Sequence, residues 1–169
     1  MSGPAPHEQV EIERKYLLRG FPDLPQGSER TEIEQGWLPA AADGSRERLR
    51  RLATSSGVRF YSTVKRGSGI TRIEREREIG DDEFGLAWPG TAGSRIRKER
   101  WRVAAGPLTW EIDRFLDLDL VLAEIELPSE DARVEIPAWL APFVVRDVTL
   151  DGRYTNRALA EAGLPAARS

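Results

Sequence analysis

Glu11, Glu13 and Lys15 alternate along Val10-Glu11-Ile12-Glu13-Arg14-Lys15-Tyr16-Leu17, and period two puts all three on one face of an extended strand. The same alternation, apolar one way and acidic the other, recurs at Trp110-Glu111-Ile112-Asp113 and at Ala123-Glu124-Ile125-Glu126-Leu127. Other stretches carry the opposite sign: Arg48 and Arg50, Lys65, Arg72, then Lys98, Arg100 and Arg102. The signs therefore sort by strand. A solvated surface tolerates any mixture of charges and needs no such order. A lumen does not, because an unpaired buried charge costs several kcal/mol even after relaxation. The sorting predicts a wet, internally paired interior that a ligand completes. A polyanion with divalent cations satisfies both signs, since arginine forks match phosphate oxygens and clustered carboxylates supply hard oxygen ligands for Mg²⁺ or Mn²⁺.

Strands must position these residues, and eight are expected: 10–18, 31–38, 46–52, 58–65, 70–79, 96–104, 108–116 and 120–127. Turn residues at 54–57 and Gly67-Ser68-Gly69 join the fourth strand to its neighbours. The latter lacks the lysine and helix that make a phosphate loop, and reads as a hairpin turn. A short helix is expected over Asp81–Trp88, capped by Asp81 and stopped by Pro89-Gly90. One helical turn is expected at Pro137–Leu140 and a terminal helix at Thr155–Ala162, stopped by Gly163. The fold class is mainly β: a closed eight-stranded antiparallel barrel with a charged lumen and a few flanking helices. The organisation expected is a flexible leader over 1–9, one domain over 10–163 and a tail over 164–169.

Composition narrows the chemistry. With no cysteine there is no thiolate or disulfide, and a zinc site would rest on His7 alone. The net charge of −3 argues against a generic nucleic-acid binder, and Glu99 interrupts the basic run 95–102. No run approaches membrane-spanning length and the leader lacks the apolar core of a secretion signal, so a cytoplasmic protein without nucleic-acid or membrane partners is expected. The apolar outer strand faces need cover from helices or from a second subunit, which makes a homodimer an open expectation.

The ordered series of motifs resembles the CYTH superfamily, the triphosphate tunnel metalloenzymes, over nearly the whole of 10–160. It runs from Glu11-x-Glu13-x-Lys15 through Gln35-Gly36-Trp37-Leu38, Arg48-Leu49-Arg50, Thr63-Val64-Lys65 and Arg72-x-Glu74-x-Glu76. It continues with Lys98-x-Arg100, Trp110-Glu111-Ile112-Asp113, Glu124-Ile125-Glu126 and Asp151-Gly152-Arg153-Tyr154-x-Asn156. The likeness is greatest to short single-domain bacterial members, many of which hydrolyse inorganic tripolyphosphate. It implies that Glu11, Glu13, Asp113, Glu124 and Glu126 hold Mg²⁺ or Mn²⁺. Arg48, Arg50, Lys65, Arg72, Arg100 and Arg153 would hold phosphates, and Lys15 and Lys98 would act at the reacting groups. Glu74, Glu76 and Glu111 would pair inside the lumen or join a second metal. Short relatives commonly carry tyrosine where this chain has Trp37 and Trp101, and an indole cannot accept a proton as a tyrosinate oxygen can. Barrel packing is the expected role of Trp101.

Three functions fit such a site. The first is metal-dependent hydrolysis of a triphosphate. The second is a class IV adenylate cyclase or thiamine triphosphatase on the same scaffold, although no base pocket is marked in the sequence. The third is a polyphosphate or nucleotide sensor that binds without turnover.

Overall fold

A computed structural model describes residues 7–66 and 70–166, apart from the side chains of residues 7–9, 71 and 72. The turn expected at Gly67-Ser68-Gly69 lies outside the described residues.

Nine strands form one sheet: β1 (His7–Leu18), β2 (Glu29–Trp37), β3 (Glu47–Thr54), β4 (Gly57–Arg66), β5 (Thr71–Ile79), β6 (Arg95–Ala105), β7 (Leu108–Phe115), β8 (Val121–Glu126) and β9 (Val144–Asp147). The order β5-β4-β3-β2-β6-β7-β8-β1 closes on itself because β1 also pairs with β5, and every pairing is antiparallel. Closure leaves the first eight strands without a free edge along the barrel wall. Gly57, at φ 131°, makes the tight β3–β4 turn that side-chain-bearing residues resist.

One edge of β1 is shared. Its first half pairs with β5, from His7↔Glu76 to Ile12↔Thr71, and its end pairs with β9, from Tyr16↔Asp147 to Leu18↔Val144. The ninth strand was not expected. It is four residues long without a clear alternation, and its pairing partner rather than its own pattern makes it a strand. The start of β1 is likewise earlier than expected: His7, Glu8 and Gln9 are paired to β5 rather than lying in a flexible leader.

The two faces of the barrel are packed differently. Outside, Trp110, Ile112, Ala123, Ile125 and Tyr16 are buried beneath the returning segment that contains Leu140 and Phe143. Leu49, Ile79 and Phe60 are covered by the helix α1 (Asp81–Ala87) through Phe84. That helix begins on Gly80 with no side-chain cap, so Asp81 is its first residue rather than its cap, and a 3-10 turn at Trp88–Thr91 follows directly. Inside, the lumen-facing row continues beyond the charged residues into Leu17, Trp37, Ile96, Phe115 and Leu122. These pack on Val148, Tyr154 and Leu159 of the C-terminal segment. One end of the bore is therefore filled by an apolar plug. Helix α2 (Asn156–Ala162) anchors that plug, capped by the Thr155 hydroxyl and ended at Gly163. Pro137 accepts from Ala141 N, making the expected single turn, before a 3-10 turn at Ala141–Phe143.

Candidate active site

The charged residues meet in a cavity of about 1140 Å³ inside the barrel. Its wall includes Glu11, Glu13 and Lys15 of β1, Arg48 and Arg50 of β3, Lys65 of β4, and Glu74 and Glu76 of β5. Lys98 and Arg100 of β6, Glu111 of β7, and Glu124 and Glu126 of β8 complete it. Strand alternation does this work: all but Lys65 lie two positions from another charged residue on the same strand, so they share its inner face.

The interior is paired, as its burial requires. Lys65 Nζ donates to Glu11 Oε2 at 2.9 Å and lies 3.1 Å from Glu74 Oε2. Arg48 Nη2 donates to Glu74 Oε1 at 3.2 Å, and Arg50 Nη2 to Glu76 Oε2 at 2.7 Å. Glu76 also accepts from the Thr63 hydroxyl. On the other wall Arg100 reaches Glu111, Asp113 and Glu124 together. Lys15 Nζ lies 3.2 Å from Glu124 Oε1 and donates to the Tyr154 carbonyl at 3.3 Å. Lys98 Nζ donates to Asp113 Oδ2 at 2.5 Å and Asn156 Oδ1 at 3.2 Å. The C-terminal segment thus touches both lysines expected to act at the reacting groups.

The electrostatics follow from burial and pairing. Burial lowers the Lys98 ammonium to about 8, with Arg100 adding to the effect and Asp113 opposing it. Burial and the neighbouring Arg50 bring Arg48 down to about 10. Burial raises the Glu11 carboxyl, helped by its hydrogen bond with Glu74. In Glu74 burial works against ionisation, but the bond from Glu11 and the charges of Lys65 and Arg48 outweigh it and hold the group at about 2. Glu124 is held well below the carboxylate range because Lys15, Arg100 and Lys98 overcome its burial. Of the two cations that burial lowers, Lys98 titrates nearer neutrality.

Two expected site residues are not on the wall. Asp113 is completely buried, and its two oxygens accept from Lys98 Nζ and from Arg100 Nε and Nη2, the last two both at 2.7 Å. It stands directly across from Arg100 and serves as the counter-charge of the basic pair. Arg153 turns outward onto Asp151, at 2.8 and 2.6 Å, and does not line the cavity. The adjacent Asp151 and Arg157 do. The side chain of Arg72 is outside the described residues, although its backbone stands opposite Glu11. Trp37 lines the cavity at the plug, whereas Trp101 packs outside against Phe21, as its packing role requires. Gln35 and Asn156 are wall residues that the sequence reading gave no role, because a single neutral amide carries no charge pattern.

The donor chemistry suits a divalent cation in part. Glu13 and Glu126 face one another in register on the cavity wall, and Glu111 faces Glu124. Like charges opposite each other in neighbouring strands destabilise a sheet. Arg100 serves the second pair. The first presents hard oxygens of the kind Mg²⁺ and Mn²⁺ take. Among the described residues no three carboxylates already converge as a metal cage.

No protein-family model matches the chain. An inorganic triphosphatase of Nitrosomonas europaea is 37% identical over 156 residues, spanning 89% of this chain and 97% of that protein. The chain belongs to the inorganic triphosphatase family. A second inorganic triphosphatase, from Acetivibrio thermocellus, is 36% identical over 152 residues, spanning 86% of this chain and 90% of the relative. The crystal structure of the inorganic triphosphatase NE1496 superposes with a TM-score of 0.64 at 33% identity, over 92% of this chain and 97% of that one. A putative adenylate cyclase from Vibrio parahaemolyticus shares the fold alone, at 18% identity and a TM-score of 0.52, over 73% of this chain and 78% of that one. The resemblance to the CYTH superfamily is borne out, and both inorganic triphosphatases match this chain over most of its length.

Proposed function

We propose that this protein hydrolyses inorganic tripolyphosphate to pyrophosphate and orthophosphate inside the barrel, with Mg²⁺ or Mn²⁺ as cofactor. One observation carries the reading: the cavity wall presents both signs, with Arg48, Arg50, Lys65, Lys98 and Arg100 set among carboxylates that now neutralise them. A linear polyanion takes over these partners without leaving a buried cation unpaired. The family membership supports the same substrate class.

Arg48, Arg50, Lys65 and Arg100 would grip the phosphate oxygens, with Arg72 as a further candidate from its register position. Fixed cations in a confined cavity favour the charge that builds on the departing oxygen. Lys15 and Lys98 are assigned to the reacting end, where an ammonium can neutralise that oxygen. Water attacks the terminal phosphorus in line, its oxygen forming the new P–O bond as the bond to pyrophosphate breaks. The proton released passes to a wall carboxylate. Glu13 and Glu126 would hold the divalent cation, with Glu11 and Glu124 beside them, and the cation would supply Lewis-acid neutralisation of phosphate oxygens. Asp113 acts by positioning Lys98 and Arg100. The cytoplasm remains the compartment we assign to this activity.

The test is a substrate panel of tripolyphosphate, ATP, thiamine triphosphate and pyrophosphate, each with Mg²⁺, with Mn²⁺ and with chelator. Tripolyphosphate should be cleaved fastest and only with metal. Cyclic AMP from ATP as the main product would replace this reading with the cyclase.

A further inference from the structure

Of the five buried N–H donors that find no acceptor among the described residues, two are the indoles of Trp101 and Trp110 in the outer core, and three are on the inner face of adjacent strands: Gln35 Nε2 on β2, and Arg48 Nε and Arg50 Nε on β3. The three residues line the same cavity, and Gln35 stands directly opposite Arg50 in the β2–β3 register. Gln35 is 1% exposed, as buried as the apolar core. A buried amide donor with no acceptor costs stability, so native proteins seldom keep one without a use. The arginines at least have other nitrogens engaged by Glu74 and Glu76. No described residue bonds to the Gln35 side chain.

Its place on the wall suggests what acceptor is missing. The lumen face of β2 is uncharged, reading Thr31, Ile33, Gln35 and Trp37. It lies between the basic pair Arg48 and Arg50 on β3 and the basic pair Lys98 and Arg100 on β6. A phosphate chain running along this wall between the two basic strands passes Gln35, which stands opposite Arg50 on β3 and, on β6, opposite Ile96, two residues before Lys98. A guanidinium attracts an anion from many directions, whereas an amide adds a directional bond without adding charge.

Resting on the triphosphatase reading, we infer that Gln35 is a substrate-binding residue whose side-chain amide donates to a phosphate oxygen bridging the Arg48–Arg50 and Lys98–Arg100 walls. The amide orients the chain of phosphates that the cations attract.

The test compares wild type, Gln35→Met and Gln35→Glu. Methionine keeps the length and shape of the side chain but has no N–H to donate, and glutamate replaces donors with a negative charge. Binding of tripolyphosphate is measured by calorimetry in metal-free buffer, and thermal unfolding is measured on the same samples. Gln35→Met should weaken binding by about tenfold or more while its Tm stays equal to or above that of wild type, because an unsatisfied buried donor has gone. Gln35→Glu should weaken binding further. Unchanged affinity in Gln35→Met overturns the inference and leaves the triphosphatase reading standing. A loss of affinity accompanied by a clear fall in Tm also overturns it, since the amide would then be holding the barrel. Absence of tripolyphosphate binding by wild type in this buffer overturns the inference, and the triphosphatase reading falls with it only if the substrate panel with Mg²⁺ and Mn²⁺ also shows no cleavage.

Discussion

Lys98 Nζ lies 2.5 Å from Asp113 Oδ2 at the back of the cavity wall, with 1% and 0% of the two side chains exposed. Of the two, only Lys98 reaches the cavity surface. The carboxylate thus serves as counter-charge and support, and it serves Arg100 at the same time through two further hydrogen bonds.

Removing that support should cost more than a surface ion pair. In Asp113→Asn two cations lose a buried counter-charge, and losing one partner of such a set costs about 3 kcal/mol or more. Urea unfolding of the variant should show a lowered midpoint with an unchanged slope. A loss below about 1 kcal/mol, the range of exposed pairs, would mean that water already solvates this corner.

The pH profile should report Lys98. Burial holds its ammonium at about 8, whereas an unfolded lysine titrates near ~10.4. Between those values the unfolded chain binds a proton that the folded chain does not, so this group makes stability rise with pH across that window. Anion binding changes in the opposite sense, because the charge is lost. The kcat/KM for tripolyphosphate should fall as pH rises through about 8, and Lys98→Arg should move any remaining fall to higher pH. A profile flat to about pH 10 would show that Lys98 stays charged in the free protein.

Gly36 lies beside Gln35 and its backbone approaches the turn after α1. A Cβ on Gly36 would come within 2.7 Å of both Thr91 Cβ and Oγ1, and Thr91 is fully buried. Thr91 is held by its own bonds to the Trp88 carbonyl and from Arg95 Nε, so it has little room to move. Gly36→Ala should lower stability by about 1–3 kcal/mol through overpacking, read as a fall in Tm. An unchanged Tm would show that the 3-10 turn shifts freely.

Much of this architecture was legible in the sequence because charge and strand period coincide. Glu11, Glu13 and Lys15 differ so sharply from Val10, Ile12 and Tyr16 that the two faces separate on inspection, and the same holds at Glu124 and Glu126. Depth along the bore was not legible. Asp113 follows the same alternation as Glu111, yet it is fully buried against Lys98 and Arg100, with Arg100 directly across from it, a depth that alternation does not report. Arg153 sits in a motif but on a 3-10 turn, where period two no longer says which way a side chain points. The ninth strand was invisible because four residues carry no usable period. Gln35 stands in one of the motifs, but nothing in the sequence assigns it a role, because its significance is an absent partner, a property of packing.

The most direct test is product analysis of tripolyphosphate incubated with Mg²⁺ or Mn²⁺ and wild type, Lys98→Ala or Arg153→Ala. Wild type should release one pyrophosphate and one orthophosphate per molecule cleaved, and none with chelator. Activity should fall about a hundredfold or more in Lys98→Ala, against a change of about twofold or less in Arg153→Ala, whose side chain faces outward. Intact tripolyphosphate after incubation with wild type and either metal, or full activity in Lys98→Ala, would contradict the proposed mechanism.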